Sequence, residues 1–374
     1  MTAFRIVVLP GDGIGPEVIA QAERVLRAVG EQFRVPLALA RFPIGAAAVG
    51  AAGDPLPAET RAAVQSADAV LLGAVGDPSL DQAPRHLRPE TGLLALRALL
   101  GVYANLRPVA VHPCLADRSP VKPDRLRGVD LLIVRELTGG LYYGEPRGRD
   151  AASAVNTLAY SAAEIERVAR VAFDAARERR RLVTSVDKAN VLEVSQLWRE
   201  VVTRVGAEYP DVRLEHLYVD VAAMKLVAEP AAFDVILTEN MFGDILSDEA
   251  AVLAGSLGLL PSASLGAGTG LFEPIHGSAP GIAGQGIANP LGAIASAAML
   301  LRHGLRLPAP ADAIDGAIQA VLADGYRTRD IAGPSDRSIG TQEMGERVAE
   351  RVAGSDATRP SPLPHSRSTP ASRT

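Results

Sequence analysis

The sequence predicts an α/β fold, because short apolar runs alternate along the chain with stretches of helical character. The clearest of these runs cover residues 4–9, 182–186 and 235–237. Each has the length of a buried strand and is followed by a break and then by a predicted helix. The chain has 374 residues, which allows one large domain or two closely associated ones.

Composition excludes several classes of function. Hydrophobic residues make up 48% of the chain, and the net charge is −5 with no long basic run, so no nucleic acid partner is expected. Cys114 is the single cysteine, which excludes an internal disulfide and is typical of a reducing compartment. No signal-peptide pattern precedes the first strand, and the longest apolar stretch, residues 291–301, is too short to span a bilayer. We therefore expect a cytoplasmic protein with no membrane partner, and a buried helix at 291–301.

The turn after the first strand argues against an ordinary Rossmann fold. It reads PGDGIGPE, and the next helix is predicted to start near Pro16, since proline suits the first helical position. The glycines are Gly11, Gly13 and Gly15, which gives G-x-G-x-G-P and not the dinucleotide pattern G-x-G-x-x-G. A Rossmann dinucleotide site is therefore only weakly indicated.

The stretch from residue 233 to residue 255 contains the clearest candidate for chemistry. Its strand is followed by a helix that is predicted to begin near Phe242. Asp244 and Asp248 are four residues apart and share a face of this helix, where two like charges are destabilising unless they are neutralised. Mg²⁺ or Mn²⁺ would neutralise them, since such ions bind one or two carboxylates together with water and substrate oxygens. The alternative is that Asp244 caps the helix and Asp248 is solvated.

Three arginines lie in settings that suit an anionic ligand. Arg97 lies on a helix predicted at 91–100, Arg107 is in the segment NLRP, and Arg135 ends a strand predicted at 129–134. Ligands of open α/β sheets bind at the carboxyl ends of strands, and a guanidinium holds a carboxylate through two parallel hydrogen bonds. Each arginine alone is more typical of a surface residue, but the three together predict an anionic substrate.

Four further side chains have both a structural and a chemical interpretation. Tyr142, in a glycine-rich turn, either packs or acts as an acid. Lys188, at a strand-to-helix junction, is either an exposed lysine or a base with a lowered pKa. Asp220 follows a short predicted strand and could serve only as a helix N-cap, and His276 could be structural.

A set of short motifs runs in order along the chain. They are LPGDGIGPE, RPETGLLALR, NLRP, VRELTGG, YYGEPRG, SVDKANVLE, YVD, FGDILSD, LLPSASLG, HGSAP and GIANP. The set resembles that of the β-decarboxylating dehydrogenases, which comprise isocitrate and isopropylmalate dehydrogenases, and is most similar to the isopropylmalate branch. The resemblance covers residues 4 to about 350 with compatible spacing.

The resemblance implies two α/β domains with discontinuous connectivity, and not an ordinary Rossmann fold. Domain one, on the cofactor-binding side, would contain residues 1–102 and 255–352. Domain two, residues 103–254, would form the interface of a homodimer with shared active sites and would carry the metal and catalytic residues. Residues 353–374 have almost no apolar content and are predicted to form a disordered tail.

The resemblance also implies an activity. This is the NAD-dependent oxidative decarboxylation of 3-isopropylmalate, a small dicarboxylate, to 4-methyl-2-oxopentanoate and CO₂ in leucine biosynthesis. The catalytic residues would be Lys188, which helps to deprotonate the C2 hydroxyl, and Tyr142, which protonates C3. Mg²⁺ or Mn²⁺ would be bound by Asp244 and Asp248 of one subunit and by Asp220 of the partner subunit.

The remaining implied residues bind the substrate and the cofactor. The substrate-binding residues would be Arg97, Arg107, Arg135, Asp220, Glu90, Leu93 and Leu94. The cofactor-binding residues would be Ile14, Asn190, Glu273, His276, Gly277, Ser278, Ala279, Gly281, Ile282 and Asn289. The two leucines would pack an isopropyl group, but such a pocket discriminates by only about 1–3 kcal/mol per methylene, so another 3-alkylmalate, tartrate or isocitrate stays an alternative.

One position departs from the resemblance. Where NAD-using members of the isopropylmalate branch have an aspartate that receives the adenosine ribose hydroxyls, this chain has Gly281. Residues 281–285 supply no cation for a 2′-phosphate, and Arg329 and Arg337 are the candidates elsewhere in the chain. We therefore expect NAD as the cofactor, with reduced discrimination against NADP.

Two alternatives lie outside these dehydrogenases. One is a metal-dependent phosphoryl-transfer enzyme built on Asp244 and Asp248, but the chain lacks the G-x-x-x-x-G-K-[ST] loop. The other is a binding protein without catalytic activity, and the presence of every implied catalytic residue argues against it.

Overall fold

The computed structural model describes residues 2–334 and 336–355 and has a mixed α/β fold. Within these residues a sheet of ten strands runs through the molecule, and two short strands form a separate ribbon. The predicted α/β class is confirmed. Residues 356–374, which hold most of the predicted disordered tail, lie outside the described residues.

Strands and helices alternate along most of the described chain. The strands are β1 (Phe4–Gly11), β2 (Leu37–Arg41), β3 (Ala69–Ala74), β4 (Val102–Ala110), β5 (Asp130–Glu136), β6 (Gly148–Arg149), β7 (Ala154–Val155), β8 (Leu182–Asp187), β9 (Arg213–Tyr218), β10 (Val235–Thr238), β11 (Pro261–Gly266) and β12 (Gly270–Pro274). The α-helices are α1 (Gly15–Gln32), α2 (Ala46–Ala52), α3 (Ala58–Gln65), α4 (Pro89–Leu100), α5 (Pro123–Leu126), α6 (Ala162–Arg177), α7 (Glu193–Gly206), α8 (Val219–Ala228), α9 (Asn240–Ala254), α10 (Leu291–Met299), α11 (Pro308–Ala323) and α12 (Thr341–Ala353).

The large sheet has two parallel groups joined by antiparallel strands. Its order is β2, β1, β3, β12, β11, β4, β5, β10, β8, β9. Parallel pairs connect β2, β1, β3 and β12 at one side and β5, β10, β8 and β9 at the other. β11 and β4 form the antiparallel connection between them. After α9 the chain therefore returns to the side of the sheet that holds β1 to β3, where β12 pairs with β3 and β11 pairs with β12. The division into two domains near residues 102 and 255 stays a prediction.

Most helices pack through an apolar face, either against the sheet or against another helix. α1 packs against α10 and α12, and α6 packs against α7. Phe173 of α6 and Trp198 of α7 have exposed fractions of 0% and 2%. α10 is buried on nearly every side, as predicted for residues 291–301, although Leu300 and Leu301 belong to the π-helical turn that follows it. In the described part of the chain, no helix is long and apolar enough to cross a membrane.

The predicted start of α9 is wrong by two residues. The helix begins at Asn240 and not near Phe242, because the carboxylate of Glu239 accepts hydrogen bonds from the amides of Met241 at 3.1 Å and Phe242 at 2.8 Å. Glu239 is therefore the N-cap, and the alternative that Asp244 caps this helix is wrong.

Two other predicted helix starts also differ from the structure. α8 begins at Val219 directly after Tyr218, so Asp220 is not the N-cap and lies within the first turn, where the helix dipole stabilises a carboxylate. α4 begins at Pro89, ahead of the predicted residue 91, because proline is suited to the first helical position.

The glycine turn after β1 is packed tightly against two other loops. Gly11 and Gly13 have φ angles of 72° and 56°. A β-carbon on Gly11 would lie 1.8 Å from the carbonyl oxygen of Ala74, and one on Gly13 would lie 2.0 Å from that of Ser278. The amide of Ile14 donates to the same Ser278 carbonyl at 2.8 Å. The glycines thus allow the start of α1 to lie against the segment after β12.

Candidate active site

One cavity is lined by most of the side chains that were predicted to bind the substrate. It has a volume of about 410 Å³ and lies where α4, β4, β5, α9 and β12 meet. The predicted residues that line it are Glu90, Leu93, Leu94, Arg97, Arg107, Arg135, Tyr142, Asp244, Glu273, His276 and Gly277. A more open cavity of about 650 Å³ adjoins it and shares Glu90, Leu94 and Arg147 with it.

The three predicted arginines are buried together in this cavity. Arg97, Arg107 and Arg135 have exposed fractions of 9%, 6% and 2%. Arg107 extends from β4 and is held by neutral groups, since its Nε donates to Oδ1 of Asn105 at 2.7 Å and its Nη1 donates to Oγ of Ser247 at 2.6 Å. These two partners hold the guanidinium in place without adding a negative charge of their own.

The other two arginines each have one carboxylate partner. Nη2 of Arg97, in the last turn of α4, lies 2.9 Å from Oε1 of Glu273 on β12. Nη1 of Arg135, near the end of β5, donates to Oδ1 of Asp244. The other edge of the Arg135 guanidinium is held by the amide of Asn240. Glu273, which was predicted to bind the cofactor, therefore forms an ion pair with Arg97 in this cavity.

Burial of three like charges changes their pKa values. Burial and the charge of Arg135 lower the pKa of Arg107 to about 10, against an opposing effect of Asp244. Burial also lowers the pKa of Arg135. Burial acts in the same direction on Arg97, but the carboxylate of Glu273 outweighs it and raises the pKa. Guanidinium groups stay protonated at neutral pH, so the cavity favours a ligand with more than one negative charge.

Asp244 and Asp248 share a face of α9, as predicted, and Arg107 lies beside both. Its Nη2 is 3.5 Å from Oδ1 of Asp244, and its Nη1 is 3.6 Å from Oδ1 of Asp248. Burial would raise the pKa of Asp244, but Arg135 and Arg107 outweigh it and lower the pKa. Burial raises the pKa of Asp248, and Asp244 adds to this effect. Part of the like-charge conflict on this face is therefore relieved by arginine.

The donor set on α9 fits a divalent cation that takes further ligands from elsewhere. The side chain of Asp248 is 62% exposed, and its nearest cation is 3.6 Å away, so its oxygens are accessible. Among the described residues, no group of three or more acidic, histidine or cysteine side chains forms a ready metal site. Mg²⁺ and Mn²⁺ suit one or two carboxylates completed by water and ligand oxygens, which is the set that Asp244 and Asp248 could supply.

Tyr142 lies at the edge of the cavity with its hydroxyl directed to α9. It ends the short 3₁₀ turn Gly140–Tyr142, and its OH donates to Oδ2 of Asp244 at 2.9 Å. Burial and the negative charge of Asp244 raise the pKa of Tyr142 to about 12. The phenol therefore keeps its proton at neutral pH and can act as an acid but not as a base.

Lys188, Asp220 and Asn190 do not line this cavity. Nζ of Lys188, just after β8, forms an ion pair with Oδ1 of Asp220 at the start of α8. The two side chains are 29% and 58% exposed, and Asn190 is exposed beside them. In the described chain this pair is therefore separate from the arginine cavity, and its predicted role stays a prediction.

Most of the predicted cofactor residues follow β12 in the chain, and the first two of them line the cavity. They are His276, Gly277, Ser278, Ala279, Gly281, Ile282 and Asn289, and Ile14 lies against them. Nε2 of His276 is buried without a hydrogen-bond partner among the described residues, and burial lowers the pKa of this imidazole. No atom of the described residues lies within 4 Å of a β-carbon placed on Gly281. An orphaned ring nitrogen beside an open glycine loop fits a dinucleotide with hydrogen-bonding groups.

Several residues around the cavity were not among the site residues predicted from the sequence. Arg147 lines both cavities, and its guanidinium donates to the carbonyl oxygen of Tyr142. Asn105 and Ser247 hold Arg107, and Asn240 holds Arg135. Their signal was weak, because buried asparagine and serine beside a motif residue look the same in sequence as ordinary turn or cap residues.

Comparison with known proteins identifies the family. The model of the family described as isocitrate/isopropylmalate dehydrogenase matches residues 5–348. The chain belongs to this family. The predicted family and its fold are thereby confirmed, and the protein is a β-decarboxylating dehydrogenase. The phosphoryl-transfer alternative is excluded.

Individual relatives cover nearly the whole chain. The 3-isopropylmalate dehydrogenase of Synechococcus sp. (strain JA-3-3Ab) is 56% identical over 361 residues, which is 95% of each chain. That of Gloeobacter violaceus is 56% identical over 351 residues, covering 92% of this chain and 97% of the relative. Among solved structures, isocitrate dehydrogenase from Methylococcus capsulatus superposes with a TM-score of 0.84 at 37% identity, covering 94% of this chain and 99% of that one.

The arginine cavity gives a first testable prediction. Arg107→Gln should raise the dissociation constant of an unreactive dicarboxylate by about ten- to a hundredfold, because a charge-assisted hydrogen bond is worth about 1.5–3 kcal/mol. Calorimetric titration without cofactor measures this directly. Arg27→Gln, which changes a guanidinium that is 61% exposed on α1, is the control and should bind as the natural protein does. A change of less than twofold in Arg107→Gln would show that Arg107 does not bind the ligand.

Proposed function

We propose that this dehydrogenase oxidises and decarboxylates 3-isopropylmalate to 4-methyl-2-oxopentanoate and CO₂, with NAD as the electron acceptor, in leucine biosynthesis. The observation that carries the proposal is the combination of three buried arginines with Leu93 and Leu94 in one cavity. Relatives that align over more than nine-tenths of both chains and bear the name 3-isopropylmalate dehydrogenase support it.

The lining of the cavity matches both ends of this substrate. The guanidinium groups of Arg97, Arg107 and Arg135 suit two carboxylates, since a charged guanidinium donates strong hydrogen bonds to a carboxylate. Leu93 and Leu94 lie on α4 in the same wall and offer apolar surface to an isopropyl group. A third carboxylate in place of that group would lose its hydration beside these leucines, which disfavours isocitrate.

The reaction needs a base for the C2 hydroxyl and an acid for C3. We assign the base to Lys188 and the acid to Tyr142, whose pKa, raised to about 12, keeps its proton available. Lys188 would accept the hydroxyl proton, and a bound nicotinamide would supply the acceptor for the C2 hydrogen, which leaves as hydride. The bond to the C3 carboxylate then breaks, CO₂ leaves, and Tyr142 gives a proton to C3. Asp244 accepts a hydrogen bond from Tyr142 and so orients the phenol.

A divalent cation belongs to this proposal. Asp244 and Asp248, with Asp220 of the partner subunit, would hold Mg²⁺ or Mn²⁺. Such a cation acts as a Lewis acid on the substrate oxygens. Asp244 would keep it near Arg107 and Arg135, which lie beside this carboxylate.

A homodimer would bring the two groups of residues together. Lys188, Asp220 and Asn190 lie outside the arginine cavity, on the side of the molecule that carries α8. Large apolar side chains are exposed on α8 and α9, namely Met224 at 64%, Val227 at 52%, Ile245 at 59% and Val252 at 45%. Exposed apolar residues on neighbouring helices are typical of a protein–protein interface. We propose that a second copy of the chain covers this face and that the Lys188 and Asp220 of that copy complete the site. The cytoplasmic location stays a prediction.

A panel of 2-hydroxy dicarboxylates tests the proposed substrate. With Mg²⁺ or Mn²⁺ present, the purified protein should have its highest kcat/KM with 3-isopropylmalate, because Leu93 and Leu94 gain from burying the isopropyl group. Isocitrate, tartrate and other 3-alkylmalates are the comparisons, and reduced cofactor is followed by its absorbance. A higher kcat/KM with isocitrate would refute the proposed substrate and leave the family assignment intact.

The metal assignment predicts a defect that can be seen without turnover. Asp248→Asn should weaken Mn²⁺ binding by about tenfold or more, since it removes one of the two anionic ligands that α9 supplies. Titration of Mn²⁺ by paramagnetic resonance measures the dissociation constant. Glu249→Gln removes a neighbouring charge on the same helix and should leave binding within twofold. Equal Mn²⁺ affinity in Asp248→Asn and the natural protein would exclude this ligand.

The cofactor loop predicts a response to charge at residue 281. Gly281→Asp should tighten NAD by about tenfold and penalise NADP, because the carboxylate can accept from the ribose hydroxyls and repels a 2′-phosphate. The space around this glycine is open, so the side chain fits. The measurement is the ratio of kcat/KM for the two cofactors. Gly268→Asp, at another open glycine, is the control. A strong NADP preference of the natural protein would overturn the proposed cofactor.

A further inference from the structure

Asn240 lies beneath the arginine cavity and uses its whole side chain in hydrogen bonds. It is fully buried, with an exposed fraction of 0%. Its Oδ1 accepts from Arg135 twice, from Nε at 3.0 Å and from Nη2 at 2.7 Å. Its Nδ2 donates to the carbonyl oxygens of Leu137 at 3.0 Å and Gly139 at 3.1 Å. A buried amide with every donor and acceptor satisfied rigidifies the groups around it.

The two hydrogen bonds from Arg135 to Asn240 determine the direction in which the Arg135 guanidinium presents its charge. Two adjacent N–H groups on one edge of the guanidinium share a single oxygen, which fixes the plane of the group. The remaining Nη1 is then directed to Asp244 and the cavity. Because Asn240 is neutral, it orients this guanidinium without cancelling its positive charge. An aspartate at the same place would form an ion pair with Arg135 and reduce its attraction for an anionic ligand.

The same amide also holds the segment that carries Tyr142. Leu137 and Gly139 lie between the end of β5 and the turn Gly140–Tyr142, and both of their carbonyl oxygens bind Asn240. This attachment fixes the start of the turn and, through it, the direction of the Tyr142 hydroxyl.

A second link strengthens this attachment from the backbone. The amide N–H of Asn240 donates to the hydroxyl of Tyr160 at 3.0 Å, and that hydroxyl donates to Oε2 of Glu136 at 3.0 Å. The same oxygen of Glu136 accepts from the amide of Gly139 at 2.8 Å. The start of α9, the end of β5 and the turn are therefore joined in one closed network.

We propose that Asn240 is a positioning residue that directs the charge of Arg135 toward the substrate and holds the turn of Tyr142 in place through one side-chain amide. The proposal rests on the proposed function for the roles of Arg135 and Tyr142. Asn240 would act without touching the substrate or the cofactor. The proposal also gives a reason for an asparagine at the first position of α9, since the start of a helix can be satisfied by several other polar residues.

The test separates orientation from charge. Asn240→Asp keeps an acceptor beside Arg135 but adds a negative charge and loses both donors to the turn. The KM of the dicarboxylate substrate should rise by at least about tenfold, while the KM of the cofactor stays within twofold. In calorimetry, the dissociation constant of an unreactive dicarboxylate should also be higher by a factor of at least about ten in this variant. Asn240→Ala removes all four hydrogen bonds, so kcat should also fall, because the turn of Tyr142 is released.

The control measures what loss of a buried hydrogen bond does by itself. Ser296 of α10 is fully buried, and its hydroxyl donates to the carbonyl of Gly292 at 2.8 Å. Ser296→Ala should lower the melting temperature without changing either KM. The proposal is overturned if the Asn240 variants lower the melting temperature but leave the substrate KM within twofold of the natural value.

A second variant keeps the proposal testable if the buried charge prevents folding. Asn240→Ser is smaller and uncharged, and it keeps one acceptor near Arg135. It should raise the substrate KM by about fivefold with an unchanged cofactor KM, and an unchanged substrate KM would overturn the proposal. The measurements use whichever dicarboxylate the natural protein turns over best. A failure of 3-isopropylmalate as the substrate is therefore seen first, in the natural protein, and is distinct from a failure of this proposal.

Discussion

The site depends on the burial of three guanidinium groups in one cavity. Like charges that are removed from water repel one another, and the repulsion is visible in the pKa of Arg107, which burial and Arg135 lower to about 10. A site of this kind is stable only when each group is held in a fixed place and some of the charge is balanced. Glu273 and Asp244 supply the balance, and the amides of Asn105 and Asn240 supply neutral anchors. The charge that remains is available to an anionic ligand.

This constraint also explains the fold around the site. Arg107 and Arg135 lie on β4 and β5, which are neighbouring antiparallel strands, and Asp244 lies on α9, which packs against both. Glu273 lies on β12, which follows α9 in the sequence and pairs with β3. The discontinuous path of the chain is thus what brings a counter-charge to Arg97. The exposed pair of Lys188 and Asp220 remains apart from this arrangement, and we attribute its separation to a site that a second subunit completes.

The sequence predicted the local elements and the motif residues more completely than their contacts. The apolar runs located β1, β8 and β10, and the spacing of Asp244 and Asp248 correctly placed both on one face of α9. The side chains that organise the site could not be predicted in this way. Glu239 was not expected to cap α9, because its role depends on the backbone path after β10. Asn240 has no pattern of its own in the sequence, since its partners are two carbonyl groups and an arginine more than 100 residues earlier.

We propose that Lys188 of one subunit acts with Asp244 of the other. Lys188→Met and Asp244→Asn should each give an inactive homodimer. When the two variants are coexpressed and assemble at random, half of the dimers are mixed, and each mixed dimer has one site in which both residues are natural. The mixture should therefore recover about a quarter of the natural specific activity. No activity above that of the separate variants would contradict the claim, because a site contained in a single chain cannot be restored by mixing.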